Sequence, residues 1–118
     1  MRAIITIGVI GFVSLAGAAF AADAPADLAQ GKAQFTRWCA ICHSPVRHDN
    51  GLLPGTLSLQ VKYQGTKPAA LEERDDLPAA YVTLVIRHGT EGMPTFRKTE
   101  ISDKDMDDIA AYLARNTK

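Results

Sequence analysis

Apolar positions gather into three stretches with helical spacing, separated by a turn-rich middle. In the first, from about Leu28 to Cys39, the residues Leu28, Gly31, Phe35 and Trp38/Cys39 recur every three or four positions and share one face. Asp27 and Gln30 form a capping-box-like pair at its start. Gly31 on that face costs about 1 kcal/mol relative to alanine, a cost that a close crossing with another helix would justify. The second stretch runs from about Leu77 to His88, with Pro78 in its first turn and Leu77, Tyr81, Leu84, Val85 and His88 as its stripe. Gly89 supplies the stop expected just past a helix end. The third runs from about Asp103 to Asn116. Ser102 is its N-cap, Ile101 and Met106 have hydrophobic-staple spacing, and Met106, Ile109, Ala110 and Leu113 make its buried stripe beside Tyr112.

Between His43 and Leu77, Pro45, Asn50-Gly51 and Pro54-Gly55 mark turns. Thr56 to Tyr63 and Pro68 to Arg74 are each able to make a short helix. No segment alternates over the length of a strand, so the expected class is all-α. The first 22 residues differ from the rest: Arg2 precedes an apolar stretch from Ala3 to Ala22 that ends in Ala19-Phe20-Ala21, an A-x-A cleavage pattern. The pattern predicts a signal peptide over 1–21, cleaved near Ala21/Ala22, and one domain over 22–118. The alternative is a retained membrane anchor, since about 18 or more apolar residues can span a bilayer.

Without Arg2, 12 basic residues face 13 acidic ones, and no basic run points to nucleic acid or a lipid surface. The remaining 97 residues are few for a large apolar core. One five-residue stretch changes that picture. Cys39-Ala40-Ile41-Cys42-His43 holds the only two cysteines of the chain in the Cys-x-x-Cys-His spacing of c-type haem attachment. Two thiols one helical turn apart can form thioethers to the porphyrin vinyl groups, which leaves the adjacent imidazole of His43 to bind iron. A covalent haem also adds a large apolar body for short helices to pack around.

Met93 is the candidate for the opposite face of the iron. It stands in Gly92-Met93-Pro94, a loop rather than a helical stripe, where Gly92 lets the backbone come close and Pro94 fixes it beyond the ligand. A thioether is a soft neutral ligand that raises the reduction potential. Met106 is accounted for by staple and stripe. His48, five residues past His43, and His88, at a helix C-terminus, are the rival ligands and read as surface or capping histidines.

With these residues in place, the chain resembles a class I c-type cytochrome over the whole region after residue 21. The resemblance implies a small fold in which N- and C-terminal helices cross, here at Gly31 and Phe35 against Tyr112 and Leu113, around one haem c and its iron. It also implies a proline carbonyl that accepts the proximal histidine N–H. Pro54 in Leu53-Pro54-Gly55-Thr56 matches best, although Leu53 stands where the family has glycine; Pro45 is the substitute. A narrower likeness, over Leu77-Pro78-Ala79-Ala80-Tyr81-Val82 to Met93-Pro94-Thr95-Phe96, is to the small cytochrome subunit of p-cresol methylhydroxylase-type flavocytochromes.

The resemblance implies a periplasmic carrier, not itself an enzyme, that accepts single electrons from a dehydrogenase and passes them toward a respiratory chain; the narrower likeness makes a flavoprotein partner, with this chain as its bound subunit, the candidate donor. A free shuttle to a terminal oxidase is the alternative. An open-site haem enzyme or sensor requires that Met93 not bind. A thiol–disulfide oxidoreductase would use Cys39 and Cys42 but lacks the βαβ pattern. For the haem propionates the candidate donors are Tyr63 first, then Lys62, Arg74, Arg87 and Trp38. The docking surface is expected around Ala40, Ile41, Pro45 and the Met93 loop.

Overall fold

The computed structural model describes residues 25–45, 47–48 and 51–118. The expected signal peptide and its cleavage site lie outside the described residues, as do Val46, Asp49 and Asn50. Helices dominate: α1 (Leu28–Trp38), α2 (Ala40–His43), α3 (Pro54–Tyr63), α4 (Ala79–His88) and α5 (Asp103–Ala114). A 3-10 turn covers Leu71–Glu73, and two-residue strands β1 (Arg47–His48) and β2 (Gly51–Leu52) pair antiparallel with Arg47 opposite Leu52. This short ladder does not alter the all-α class. Among the described residues no helix is long and apolar enough to cross a membrane.

The termini of the helices show where local signals acted and where tertiary partners replaced them. Asp27 caps α1 as expected, accepting from the amides of Ala29 and Gln30 at 2.9 and 3.1 Å. The reciprocal half of the capping box does not form. Gln30 Nε2 instead donates to Asp105 Oδ1 at 3.3 Å, and the Asp27 amide donates to Asp108 Oδ1 at 2.8 Å. A carboxylate on α5 thus does what a glutamine on α1 was expected to do. Ser102 caps α5 by accepting from the Asp105 amide at 3.1 Å, and the helix ends at Ala114, short of Asn116. Pro78 caps α4 rather than entering its first turn, and Leu77 lies outside the helix.

The core forms where α1 crosses α5, with α4 against the same side of α5. The helices meet at Gly31: a β-carbon placed there would lie 2.1 Å from the Asp108 carbonyl oxygen and 2.8 Å from Tyr112 Cβ. Phe35 follows one turn later with its ring 6.0 Å from that of Tyr112. Ile101 and Ile109 are fully buried between these layers, and Met106 packs against the same core. Leu28 is half exposed and does not belong to the α1 stripe. The α4 stripe is also shifted. Val82 and Ile86 are its buried positions, while Leu84 is 55 % exposed and His88 lies at the surface.

Asp108 is a buried carboxylate within this crossing, 1 % exposed. Besides the Asp27 amide it accepts from Lys104 Nζ at 2.5 and 2.7 Å. Burial alone would raise its pKa, but the lysine and the amide outweigh burial and hold it below the usual carboxylate range. Arg87 similarly serves the fold: Nη1 donates to the carbonyls of Phe96 and Ile101 at 3.1 and 2.9 Å, and Nη2 to Asp103 at 2.9 Å. It ties the segment after α4 to the start of α5.

Gly31→Val wedges a branched side chain into backbone contact. It should lower unfolding free energy by about 1–3 kcal/mol or more, read by urea denaturation, while leaving the reduction potential of any folded fraction unchanged.

Candidate functional site

The Cys-x-x-Cys-His run folds into a single turn. The amide of Cys39 bonds to the Phe35 carbonyl at 2.8 Å, ending α1, and the Cys39 carbonyl then accepts from the amides of Cys42 and His43 at 3.0 and 2.9 Å to form α2. This sharp renewal of the helix keeps Cys39 buried in the core while carrying Cys42 and His43 toward α3. Thr56 anchors α3 to that turn, since its hydroxyl donates to the Ser44 carbonyl at 2.9 Å and reaches the Cys42 carbonyl at 3.3 Å. Gly55 makes the closest approach. A β-carbon there would sit 2.6 Å from His43 Cε1 and 2.8 Å from both Nδ1 and the Cys42 carbonyl oxygen. The first turn of α3 therefore fixes the plane of the imidazole.

Met93 arrives from the far side of the sequence in a tight turn, with its amide bonded to the Thr90 carbonyl at 2.7 Å. The turn is shaped by Glu91 and Gly89, whose φ values are 46° and 68°. Gly92, expected to admit the backbone, faces open space. Gly89 is the glycine the loop requires, because a β-carbon there would lie 2.6 Å from the Met93 carbonyl oxygen. Its role was visible in the sequence only as a helix stop.

These elements converge on one crevice. A cavity of about 110 Å³ is lined by Cys39, His43 and Met93 together with Leu59, Val85, Ile109 and Leu113. A second of about 220 Å³ is lined by Cys42, Pro54, Gly55 and Lys62, and shares His43, Tyr63, Tyr81 and Met93 with the first. Tyr81 and Val85 do belong to a functional face of α4, the one turned to this crevice, whereas Val82 and Ile86 also meet the protein core. A larger and more polar groove of about 510 Å³, bordered by Pro45, Gln60, Lys67 and Glu73, contains none of the cysteine, histidine or methionine donors.

The donor set suits a flat apolar group carrying a soft-ligated iron. A hydrated divalent cation would call for oxygen ligands, whereas imidazole and thioether suit haem iron. His43 is held neutral, with burial lowering its pKa, as a ligand nitrogen requires. Its Nδ1 is buried and has no hydrogen-bond partner among the described residues, and the Pro54 carbonyl accepts from Ser58 Oγ at 2.9 Å. Burial, and then the neighbouring Cys42, push the Cys39 thiol up to about 12. A buried, un-ionised thiol is the opposite of a redox-active dithiol, whose nucleophile needs a lowered pKa.

Tyr63 lines both parts of the crevice, and the Arg74 guanidinium lies 4.7 Å over its ring. Arg74 is 4 % exposed and borders the crevice itself. It grips Asp76 in a two-pronged ion pair, Nε to Oδ1 at 2.6 Å and Nη2 to Oδ2 at 2.9 Å, and Lys67 joins the same carboxylate. Burial alone would lower the arginine pKa, and its bonds to Asp76 and Tyr63 more than reverse that. Arg74, followed by Lys67, draws the Asp76 carboxyl from 3.8 to about 2. Of the other expected donors, Lys62 borders the outer part of the crevice but is already paired, and Arg87 and Trp38 stand apart. Lys62 pairs with Glu91 at 3.5 Å, Arg87 is spent on the fold, and Trp38 packs edge-on against Phe96 at 6.1 Å. His88 does not border the crevice, and His48 falls in β1.

The family model described as cytochrome c oxidase, cbb3-type, subunit III, matches residues 26–113. The chain is 38 % identical over 103 residues to cytochrome c6 of Synechocystis sp., covering 87 % of this chain and 73 % of that relative. It is 31 % identical over 94 residues to cytochrome c6 of Cyanidioschyzon merolae, covering 79 % and 78 %. It is also similar to the cytochrome c subunit of 4-cresol dehydrogenase [hydroxylating] from Pseudomonas putida, 27 % identical over 114 residues, covering 97 % and 84 %.

Gly55→Ala should displace the imidazole and cut the yield of protein carrying covalent haem several-fold, measured by haem stain after denaturing electrophoresis. A depressed carboxyl stabilises the fold fully above its unfolded pKa and loses that contribution as pH falls through the folded value. Acid unfolding should therefore steepen between about pH 4 and pH 2, from 3.8 down to the folded value of about 2. Asp76→Asn should remove that component in a circular-dichroism acid titration.

Proposed function

The chain belongs to the class I c-type cytochromes, and from that premise we propose that it is an exported, His/Met-ligated carrier that takes single electrons from a periplasmic dehydrogenase. Membership itself implies a covalently attached haem c with iron and an electron-transfer role rather than enzymatic turnover. When bound, the haem supplies a one-electron couple on its iron. The residues of this chain do everything else. Cys39 and Cys42 would hold the group, and His43 and Met93 would ligate its iron, which would leave no open site for a substrate.

The single observation that carries this reading is the convergence of Cys39, His43 and Met93 on one apolar crevice from three separate elements. Leu59, Leu77, Val85, Ile109 and Leu113 keep water from it and so favour the less charged, reduced state. Arg74 and Tyr63 are the residues we assign to the propionates, because a buried cation on the crevice wall is placed to offset an anion. Pro54 is the proposed partner of His43 Nδ1, standing beside the glycine that presses on that ring. The docking surface we assign to Ala40, Ile41, Pro45 and the Met93 loop. Ile41 is 73 % exposed there, and a small apolar patch suits the short-lived complexes of redox partners.

The dehydrogenase reading is supported by the similarity, across 97 % of this chain, to a cytochrome subunit named for a dehydrogenase. A free-standing shuttle is the second reading. The greater identity to two relatives whose names mention no dehydrogenase favours it. Signal cleavage near Ala21/Ala22 and a periplasmic location complete the proposal.

Met93→Ala should retain covalent haem, lower the reduction potential and let the ferrous protein bind carbon monoxide, which the unaltered protein should resist at neutral pH. An unchanged potential and spectrum in the variant would remove Met93 from the ligand set. Affinity capture of the tagged protein from its native host, followed by a flavin assay, separates the two partner readings.

A further inference from the structure

The wall of the crevice formed by residues 71–77 has little structure of its own. It sends Leu71, Arg74 and Leu77 into the lining, yet its local backbone bonds are only the Glu73 amide to the Ala70 carbonyl at 3.1 Å and the Arg74 amide to the Leu71 carbonyl at 3.3 Å, with the Arg74–Asp76 ion pair as its own side-chain tie. A lone 3-10 turn is marginal. Lys67 and Tyr63 brace it at Asp76 and Arg74, and the remaining bonds come from α5 and the residues just after it, about forty positions away.

Tyr112 donates its hydroxyl to the Glu72 carboxylate. Arg115 lies 4.1 Å over the Tyr112 ring, and its Nη2 donates to the Glu72 carbonyl at 3.0 Å. Thr117 grips Leu77 from both sides, since its hydroxyl accepts from the Leu77 amide at 3.2 Å and donates to the Leu77 carbonyl at 3.0 Å. The Lys118 amide reaches the Asp75 carbonyl at 3.3 Å. Thr117 is itself fixed to α5 by a bond from its amide to the Ala114 carbonyl at 2.9 Å. Both ends of the wall are therefore fastened to one rigid helix.

We propose that Thr117, with Tyr112 and Arg115, forms a clamp of positioning residues that holds wall 71–77 closed over the haem crevice and so limits access of small ligands to the iron. The proposal rests on the reading of that crevice as a haem site closed by His43 and Met93. Its physical basis is population: azide has to displace Met93, and where that displacement needs the wall open its uptake scales with the open fraction. Loosening the clamp raises that fraction without touching an axial ligand.

The test compares the full-length holoprotein with its Thr117→Val and Thr117→Ser variants. Valine keeps the shape and removes the hydroxyl, and serine restores it. Hydrogen exchange is followed at the Glu73 and Arg74 amides, neither of which bonds to α5 or its tail, and azide uptake is followed on the ferric protein. Thr117→Val should speed both by about tenfold with α1 and α5 amides unchanged, and Thr117→Ser should return both toward the starting values. Unchanged exchange at Glu73 and Arg74, acceleration spread equally over α1 and α5, or faster exchange without greater azide uptake would each overturn the proposal. Starting protein without covalent haem would sink the underlying haem reading instead, and the exchange measurement would still report whether the clamp exists.

Discussion

The contact on which the rest depends is the bare backbone approach of α1 to α5 at Gly31. With the Asp108 carbonyl already where a β-carbon would go, the two helices lock at a fixed distance and angle. Everything chemical is then measured from that lock. α1 delivers Cys39 to the core and hands the chain to α2, and α5 presents Ile109 and Leu113 to the opposite wall of the crevice. A larger residue at position 31 would break that lock and unfold the pair rather than reset the crevice between them.

The crossing also concentrates charge where it is most effective. Asp108 meets the N-terminal amide of α1 and the ammonium of Lys104 inside the contact, so a buried carboxylate fixes the register of two helices that share no sequence neighbourhood. A one-sided loss of such a group is costly because its partners remain desolvated. The Arg74–Asp76–Lys67 cluster works in the same way on the crevice side. Two cations share one anion, and positive charge is left over on the wall nearest Tyr63. That arrangement favours an anionic edge on whatever fills the crevice.

Local chemistry was legible in the sequence where it depends on neighbours in the chain. Asp27, Ser102, the α5 stripe and the turn of Cys39 to His43 follow from spacing and side-chain type alone. What was not legible depends on what lies across the fold. The α4 stripe was read as one face, but this helix has two apolar clients. Tyr81, Val82, Val85 and Ile86 all line the crevice, but only Val82 and Ile86 are also buried in the core, and a single-face pattern cannot separate the two pairs. Gln30 was assigned to the α1 cap because Asp108 is 78 positions away from it. Gly55 and Gly89 were read as turn and stop signals. Their closeness to the His43 ring and the Met93 backbone exists only once α3 and the α4 loop are in place.

The Asp27–Asp108 bond joins positions 81 apart, so the leading helix is stapled at its very first turn to the last one. Such positions usually fray and are cut first. Here a nick near Asp27 would be felt in the crevice itself, and protease resistance at that point becomes a direct gauge of whether the whole domain is assembled.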